Sequence, residues 1–242
     1  MKIFSLNIEG DKHLESIFTY LKDKNMDVVC FQEVFKIDQS LIEEKLQMTS
    51  FFVPLSIIGQ NSFGLSPKGK SGLLMLTKRP EIAFSYQYYT KHSKGIPNLI
   101  GHQPNSGDRA LLWAKIKLNH QEIIVSTTHF TWSPDGETTD EQRESLLKLL
   151  AITQNFNRPF ILCGDFNAPR GREIFDLLAS QLTDHIPPDV KTTIDGKFHR
   201  AGGLKLVVDG FFSSKQFSDQ VSSVKLIDNL SDHLAVEAQI GY

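Results

Sequence analysis

Asp165 and Asn167 stand two positions apart where an apolar run, Phe160-Ile161-Leu162-Cys163, gives out in the stretch CGDFNAPR. Along an extended chain alternate side chains share a face, so the carboxylate and the carboxamide point one way and Phe166 the other. Such a pair also serves as a strand-to-turn cap, because Asp and Asn both favour turns. The same ending recurs along the chain. Ile3-Phe4-Ser5-Leu6 ends in Asn7, and Val28-Val29-Cys30-Phe31 ends in Gln32-Glu33. Ile123-Ile124-Val125 leads through Ser126-Thr127-Thr128 to His129, and Leu206-Val207-Val208 ends in Asp209. Ser231-Asp232-His233 opens the last apolar segment. Loops drawn at random offer Lys, Ser and Gly as often as carboxylates and imidazoles. A fold that carries these ends to one rim assembles three Asp, one Glu, two Asn and two His. Hard divalent cations such as Mg2+ take carboxylate and carbonyl oxygens. In-line displacement at phosphorus needs such a cation, a group that activates water, and donors for the equatorial oxygens. The set contains each part.

The elements that must position these groups are mostly strands, expected at 2–7, 27–32, 71–77, 82–89, 110–118, 121–128, 159–163, 206–212, 220–227 and 234–240. Helices are few. Leu14, Ile17, Phe18 and Leu21 form an amphipathic stripe at i, i+3, i+4 and i+7. Thr139-x-x-Gln142 has capping-box form ahead of Leu146, Leu149 and Leu150, and Ile174, Leu177 and Leu178 mark a short third helix. Strand, helix and strand follow one another twice, from 2–7 to 27–32 and from 121–128 to 159–163, as two parallel crossovers would. The short turn Asn119-His120 reads as a hairpin. The expected fold is α/β, a four-layer α/β sandwich with two mixed β-sheets packed face to face and helices on the outer faces. No repeat, low-complexity tract or linker divides the chain, so residues 1–242 are expected to form one domain.

Composition narrows the function classes. A chain of 242 residues with 40% hydrophobic and 22% charged residues can bury a large core, and its 17 Phe suit a layered interior. The formal net charge of −2 carries no global footprint of a nucleic-acid binder, so a polyanion site must rest on local charge. Cys30 and Cys163 both lie in apolar runs and are expected to be buried and reduced, without a disulfide. Met1-Lys2 leads at once into Ile3-Phe4-Ser5-Leu6, too short for an export signal. No apolar run approaches the roughly 20 residues that span a bilayer. A cytoplasmic monomer is expected.

The stretches SLNIEG, FQEV, THF, CGDFN, VVDGFF and SDHL, in this order, resemble the signature of the endonuclease/exonuclease/phosphatase superfamily. The resemblance runs from Asn7 to His233 and implies the sandwich fold and hydrolysis of phosphate esters. It implies Glu33 as the principal metal ligand, with Asn7 beside it and Asp232 completing the outer coordination, around Mg2+ with Mn2+ able to substitute. Asp165 would orient or deprotonate the attacking water, and Asn167 would donate to a phosphoryl oxygen as charge develops. His233, held by Asp209, would contact the phosphate or act as a base, and His129 would donate to the phosphate or the leaving oxygen. Arg109 reads either as a phosphate clamp or as a surface arginine at a strand entrance. Where many relatives carry an aromatic residue or Ile after the Asp that supports the histidine, this chain has Gly210, which removes a packing side chain.

The substrate divides into two expectations. The QEV and GDFN spelling is similar to deadenylases and tyrosyl-DNA phosphodiesterases, which implies a Mg2+-dependent phosphodiesterase on nucleic acid. Basic loops at Lys68 and Lys70, Lys91 and Lys94, Arg170 and Arg172, and Lys197, Arg200 and Lys205 agree with a polyanion, and Arg170 and Arg172 are candidate substrate contacts. The alternative is a small-molecule or lipid phosphate. A binding module without catalysis would have lost a ligand or a histidine, and all are present.

Overall fold

The computed structural model describes residues 1–59, 68–78, 83–92, 94–100, 103–118 and 121–241. Two mixed sheets of six strands face each other. One sheet is built from β1 (Lys2–Asn7), β2 (Val28–Phe35), β3 (Thr49–Ile58), β4 (Gly69–Thr77), β11 (Val221–Ile227) and β12 (Ala235–Ile240), in the order β11-β12-β1-β2-β4-β3. The other contains β5 (Phe84–Thr90), β6 (Arg109–Leu118), β7 (Gln121–His129), β8 (Phe160–Asp165), β9 (Leu182–Asp184) and β10 (Asp209–Ser214), in the order β5-β6-β7-β8-β10-β9. Both expected crossovers are present: α1 (Leu14–Leu21) joins the parallel pair β1 and β2, and α3 (Asp140–Gln154) joins β7 and β8. β6 and β7 pair antiparallel, while the turn Asn119-His120 lies outside the described residues, as does position 82 of the strand expected at 82–89.

The strands of the crossovers are apolar on both faces because both faces are covered. In β8, Ile161 and Cys163 point between the sheets with Cys30, Leu112 and Val125. Leu162 points outward, against Leu146, Leu149 and Phe175 of α3 and α4 (Glu173–Gln181). On the opposite outer face Ile17 and Phe18 of α1 cover Phe4 and Phe31. Cys30 and Cys163 are free and buried. Among the described residues no helix is long and apolar enough to cross a membrane.

Three elements escape the sequence pattern. β3 carries Pro54 in its middle, which argues against a strand until β3 proves to be an edge, with its register shifting between Pro54 and Ser56. α2 (Gln39–Leu46) buries only Ile42 and so shows no apolar stripe. β9 is three residues long. The strand expected at 206–212 starts only at Asp209, because the carbonyls of Leu206, Val207 and Val208 accept from Thr193, Arg170 and Phe166 instead of pairing in a ladder. The capping box is half made. Thr139 accepts from the backbone of Gln142, but the Gln142 side chain donates to the carbonyls of Thr131 and Asn167 and so braces the loop after β8.

Two glycines have stereochemical reasons. Gly164, at φ 134°, lies so close to β7 that an added Cβ would sit 2.1 Å from the Thr128 carbonyl oxygen. The space beside Gly210 is filled, contrary to the expectation of a missing packing group. An added Cβ there would lie 2.4 Å from the ring of Phe212 and 2.8 Å from that of Phe166. These rings meet edge to face at 5.2 Å, and both are fully buried. Gly210→Ala must move one of them within a packed core and is expected to destabilise the protein by about 1–3 kcal/mol. An unchanged urea unfolding midpoint in this variant would contradict the packing account.

Candidate active site

Strand register brings the first three groups together. β8 lies between β7 and β10, with Asp165 opposite His129 on one side and opposite Asp209 on the other. In the facing sheet β1 ends at Asn7, whose neighbour across the parallel ladder is Gln32. Glu33 reaches the same place by an irregularity. The β2–β4 register shifts between Phe31 and Val34, and Glu33 takes the left-handed φ of 61°. A bulge of this kind re-aims a side chain. Gln32 thus points between the sheets to Thr127 Oγ1, 2.9 Å away, while Glu33 lines the cavity.

Asp165 and Asn167 do share the cavity, but not by strand alternation. β8 ends at Asp165, and Asn167 has φ 49°. Asp165 Oδ1 accepts from the Asn167 N–H at 2.9 Å, and the Asn167 amide donates to the Phe130 carbonyl at 3.1 Å. The pair is therefore a turn cap and a cavity wall at once. Asp165 Oδ2 faces the cleft, 3.1 Å from Asn7 Nδ2, 3.5 Å from His129 Nε2 and 3.8 Å from His233 Nε2. Asn7 Nδ2 also lies 3.2 Å from Glu33 Oε1, while its oxygen accepts from the Glu9 N–H.

His233 is fixed from two sides. Its Nδ1 is 2.9 Å from Asp209 Oδ2. The backbone of residues 193–195 pairs with that of 232–234, and Thr193 Oγ1 accepts from the N–H groups of both Val208 and Asp209. Thr193 is fully buried and orients both members of the pair. Sequence reasoning missed it, as a lone threonine in a loop carries no signal. Asp232 lines the cavity beside Glu9 and Glu33.

The cavity measures about 580 Å³, and Leu55, Ile58, Leu99 and Trp132 form its apolar side. Arg109 lines it but is buried, donating to the His129 carbonyl and to Asn105 Oδ1 at 3.5 and 3.2 Å. It is therefore no surface arginine. Arg170 and Arg172 lie outside the wall. Arg170 binds Asp184 at 2.6 Å and the carbonyls of Ile186 and Pro187, while Arg172 binds Glu137 and the Asp135 carbonyl. Closeness in sequence to Asp165 does not bring them to the wall, because the chain turns away after Asn167. Of the basic loop residues, Arg200 does reach the cavity, together with His199.

Burial and charge split the ionisable groups. Burial, then repulsion from Asp232, pushes Glu33 up to about 7. Burial also raises Asp232. His129 is driven down to about 4, again chiefly by burial, which Asp165 only partly opposes. Burial pulls on His233 as well, but Asp209, Asp165 and Asp232 outweigh it and hold the imidazole well above its usual 6.5. At neutral pH one carboxylate oxygen therefore faces one neutral and one cationic imidazole. Asp165, Asp209 and His233 each bring a ligand atom within 4.8 Å of the others, and this buried acidic and imidazole cluster can hold a metal ion. Because Asp209 and His233 are already hydrogen-bonded to each other, the oxygens on the Glu33 side are the freer donors.

The model of the Endonuclease/Exonuclease/phosphatase family matches residues 4–233. No curated protein matches the sequence. Among solved structures, an endonuclease/exonuclease/phosphatase family protein from Leptotrichia buccalis C-1013-b superposes with a TM-score of 0.74 at 21% identity, covering 100% of both chains. A mannosyl-6-phosphatase of Bacteroides thetaiotaomicron VPI-5482 gives 0.69 at 15% identity, again over 100% of both chains. ANGEL2, a 2',3'-cyclic phosphatase in complex with adenosine-2',3'-vanadate, gives 0.65 at 16%, covering 98% of this chain and 94% of its own. At these identities the three structures are evidence of a shared fold.

The Asp209–His233 pair generates a direct test. Asp209→Asn removes the largest charge opposing burial of the imidazole, so the His233 pKa must fall. The sign extends to stability. A raised imidazole pKa stabilises the fold fully below about pH 6.5, and this contribution fades as pH rises through the folded value. An NMR titration of His233 in both proteins measures the shift, and equal values would remove the pairing.

Proposed function

The chain belongs to the endonuclease/exonuclease/phosphatase family, whose members hydrolyse phosphate esters, and we propose that it is a Mg2+-dependent phosphodiesterase acting on nucleic acid. The observation that carries this reading is the surround of Asp165 Oδ2, within 3.1–3.8 Å of Asn7, His129 and His233. On this reading Asp165 orients a water and takes its proton. Asn167 uses one amide hydrogen on Phe130 and has a second for a phosphoryl oxygen. Cationic His233 offers Nε2–H to the same charge, and neutral His129 is suited to proton exchange with the leaving oxygen. Glu33, Asn7 and Asp232 would hold the cation, which when bound supplies Lewis-acid polarisation of the phosphate. Hard oxygen donors fit Mg2+, with Mn2+ able to substitute. Arg109 acts through the His129 carbonyl as a positioning group. A nucleoside ligand in a relative of the same fold supports the nucleic-acid reading.

A second reading, hydrolysis of a small phosphate ester, is favoured by the rim charges. Lys68 is held by Asp11, Lys91 by Asp108 at 2.8 Å and Arg170 by Asp184, so these cations are already matched by carboxylates. A panel of phosphate esters (single- and double-stranded DNA, RNA, mononucleotides and sugar phosphates) in Mg2+ and in EDTA separates the readings. Glu33→Gln is expected to lower turnover at least about a hundredfold with the fold intact. Mg2+ should raise the melting temperature of the wild type but not of this variant. Because a proton competes for Glu33 below about pH 7, the Mg2+ effect should grow as pH rises through that value. Full activity in EDTA would refute the metal assignment.

A further inference from the structure

Trp132 lines both the catalytic cavity and a second one of about 570 Å³, which Pro97, Asn98, Ile100, Asn105 and Glu141 also line. Its backbone is clamped. Asn105 Oδ1 accepts from the Trp132 N–H and Asn105 Nδ2 donates to the Trp132 carbonyl, both at 2.9 Å. Asn105 is itself held by Arg109 at 3.2 Å and Glu141 at 2.9 Å. This network ties the tryptophan rigidly to the strand end that carries His129. The indole is nonetheless partly exposed. Among the described residues no aromatic ring stacks on it, no cation lies over it and nothing accepts from its N–H. Trp113, in contrast, packs on Phe156 at 5.4 Å.

A large apolar ring clamped by its backbone and partly exposed where two cavities meet is preorganised for a flat partner. We infer that Trp132 is a stacking platform for a nucleobase of the substrate, seated beside the scissile phosphate on the apolar side of the cavity that Leu55 and Leu99 also line. Stacking of this kind does not depend on which base is offered, since every base has a π-face. The second cavity, continuous with the platform, has room for the neighbouring unit of a nucleic-acid strand. This inference rests on the phosphoesterase reading and selects within it esters that carry a base.

The chain contains two tryptophans, so Trp113→Phe leaves Trp132 as the only strong fluorophore of its kind. In a Trp113→Phe/Asp165→Asn background with Mg2+, where ligand stays intact, adenosine monophosphate and short single-stranded oligoadenylate should quench the emission saturably. Mannose 6-phosphate should not. Tighter quenching by the oligonucleotide assigns the base to a nucleic-acid end, and equal quenching assigns it to a mononucleotide. In the catalytically intact protein Trp132→Leu should lower kcat/KM for base-bearing esters about 5- to 150-fold more than for a sugar phosphate, mainly through KM, as loss of one stacked base implies. Trp132→Phe should recover most of it. Absence of quenching by either nucleotide, or an equal loss on both ester classes, overturns the platform. Wild-type protein that quenches but hydrolyses no ester would instead overturn the phosphoesterase reading and leave the platform standing.

Discussion

A carboxylate buried at the end of a central strand is the constraint on which the rest of this structure depends. Asp165 is almost wholly removed from solvent, and an ion in that position is tolerated only when hydrogen bonds and charges replace the lost water. One oxygen is satisfied within its own turn by the Asn167 N–H, and the other by Asn7 from the opposite sheet. The two sheets cannot slide past each other without breaking the second bond. Gly164 enforces the same register from the side, because only a residue without a side chain lets β8 approach the Thr128 carbonyl. Cavity, imidazoles and acidic cluster are all positioned from this strand end.

The uneven charge states around Asp165 follow from differences in partner, since desolvation pulls both histidines down. His129 touches the Asp165 carboxylate at 3.5 Å and has Arg109 nearby, so burial prevails and the ring stays neutral. His233 has Asp209 at 2.9 Å, with Asp165 and Asp232 adding to it, and stays protonated. Two identical side chains thus become unlike reagents through the carboxylates, Asp209 and Asp232, that only one of them faces, a common way for a single cleft to hold both a proton donor and a proton acceptor.

How much of this was legible in the sequence varies with the range of the physics involved. The crossovers and the convergence of Asn7, Glu33, His129, Asp165, Asp209 and His233 could be read because apolar runs ending in polar groups are local patterns. The direction of Glu33 could not, because a bulge with a left-handed residue has no marker in the pattern. Pro54 hid β3, since proline is excluded from strand interiors but not from edges. That Arg170 and Arg172 lie outside the cavity wall could not be read either, because proximity along the chain says little once a strand has ended in a turn. Thr193, Asn105 and Trp132 act through partners elsewhere in the chain, and nothing in their own neighbourhoods marks them.

The bond between Asn7 and Asp165 spans 158 positions of sequence, and each sheet contains its own locally closed strand–helix–strand unit. Each unit can gain its helix and its strand pairing before the sheets meet, whereas the cleft exists only after they dock. Long-range closure of this kind is slow relative to local structure. In a refolding experiment, helical signal should therefore return ahead of catalytic competence. The chemistry of the protein reports the last event of its folding, and no contiguous half of the chain contains a working fragment of the cleft.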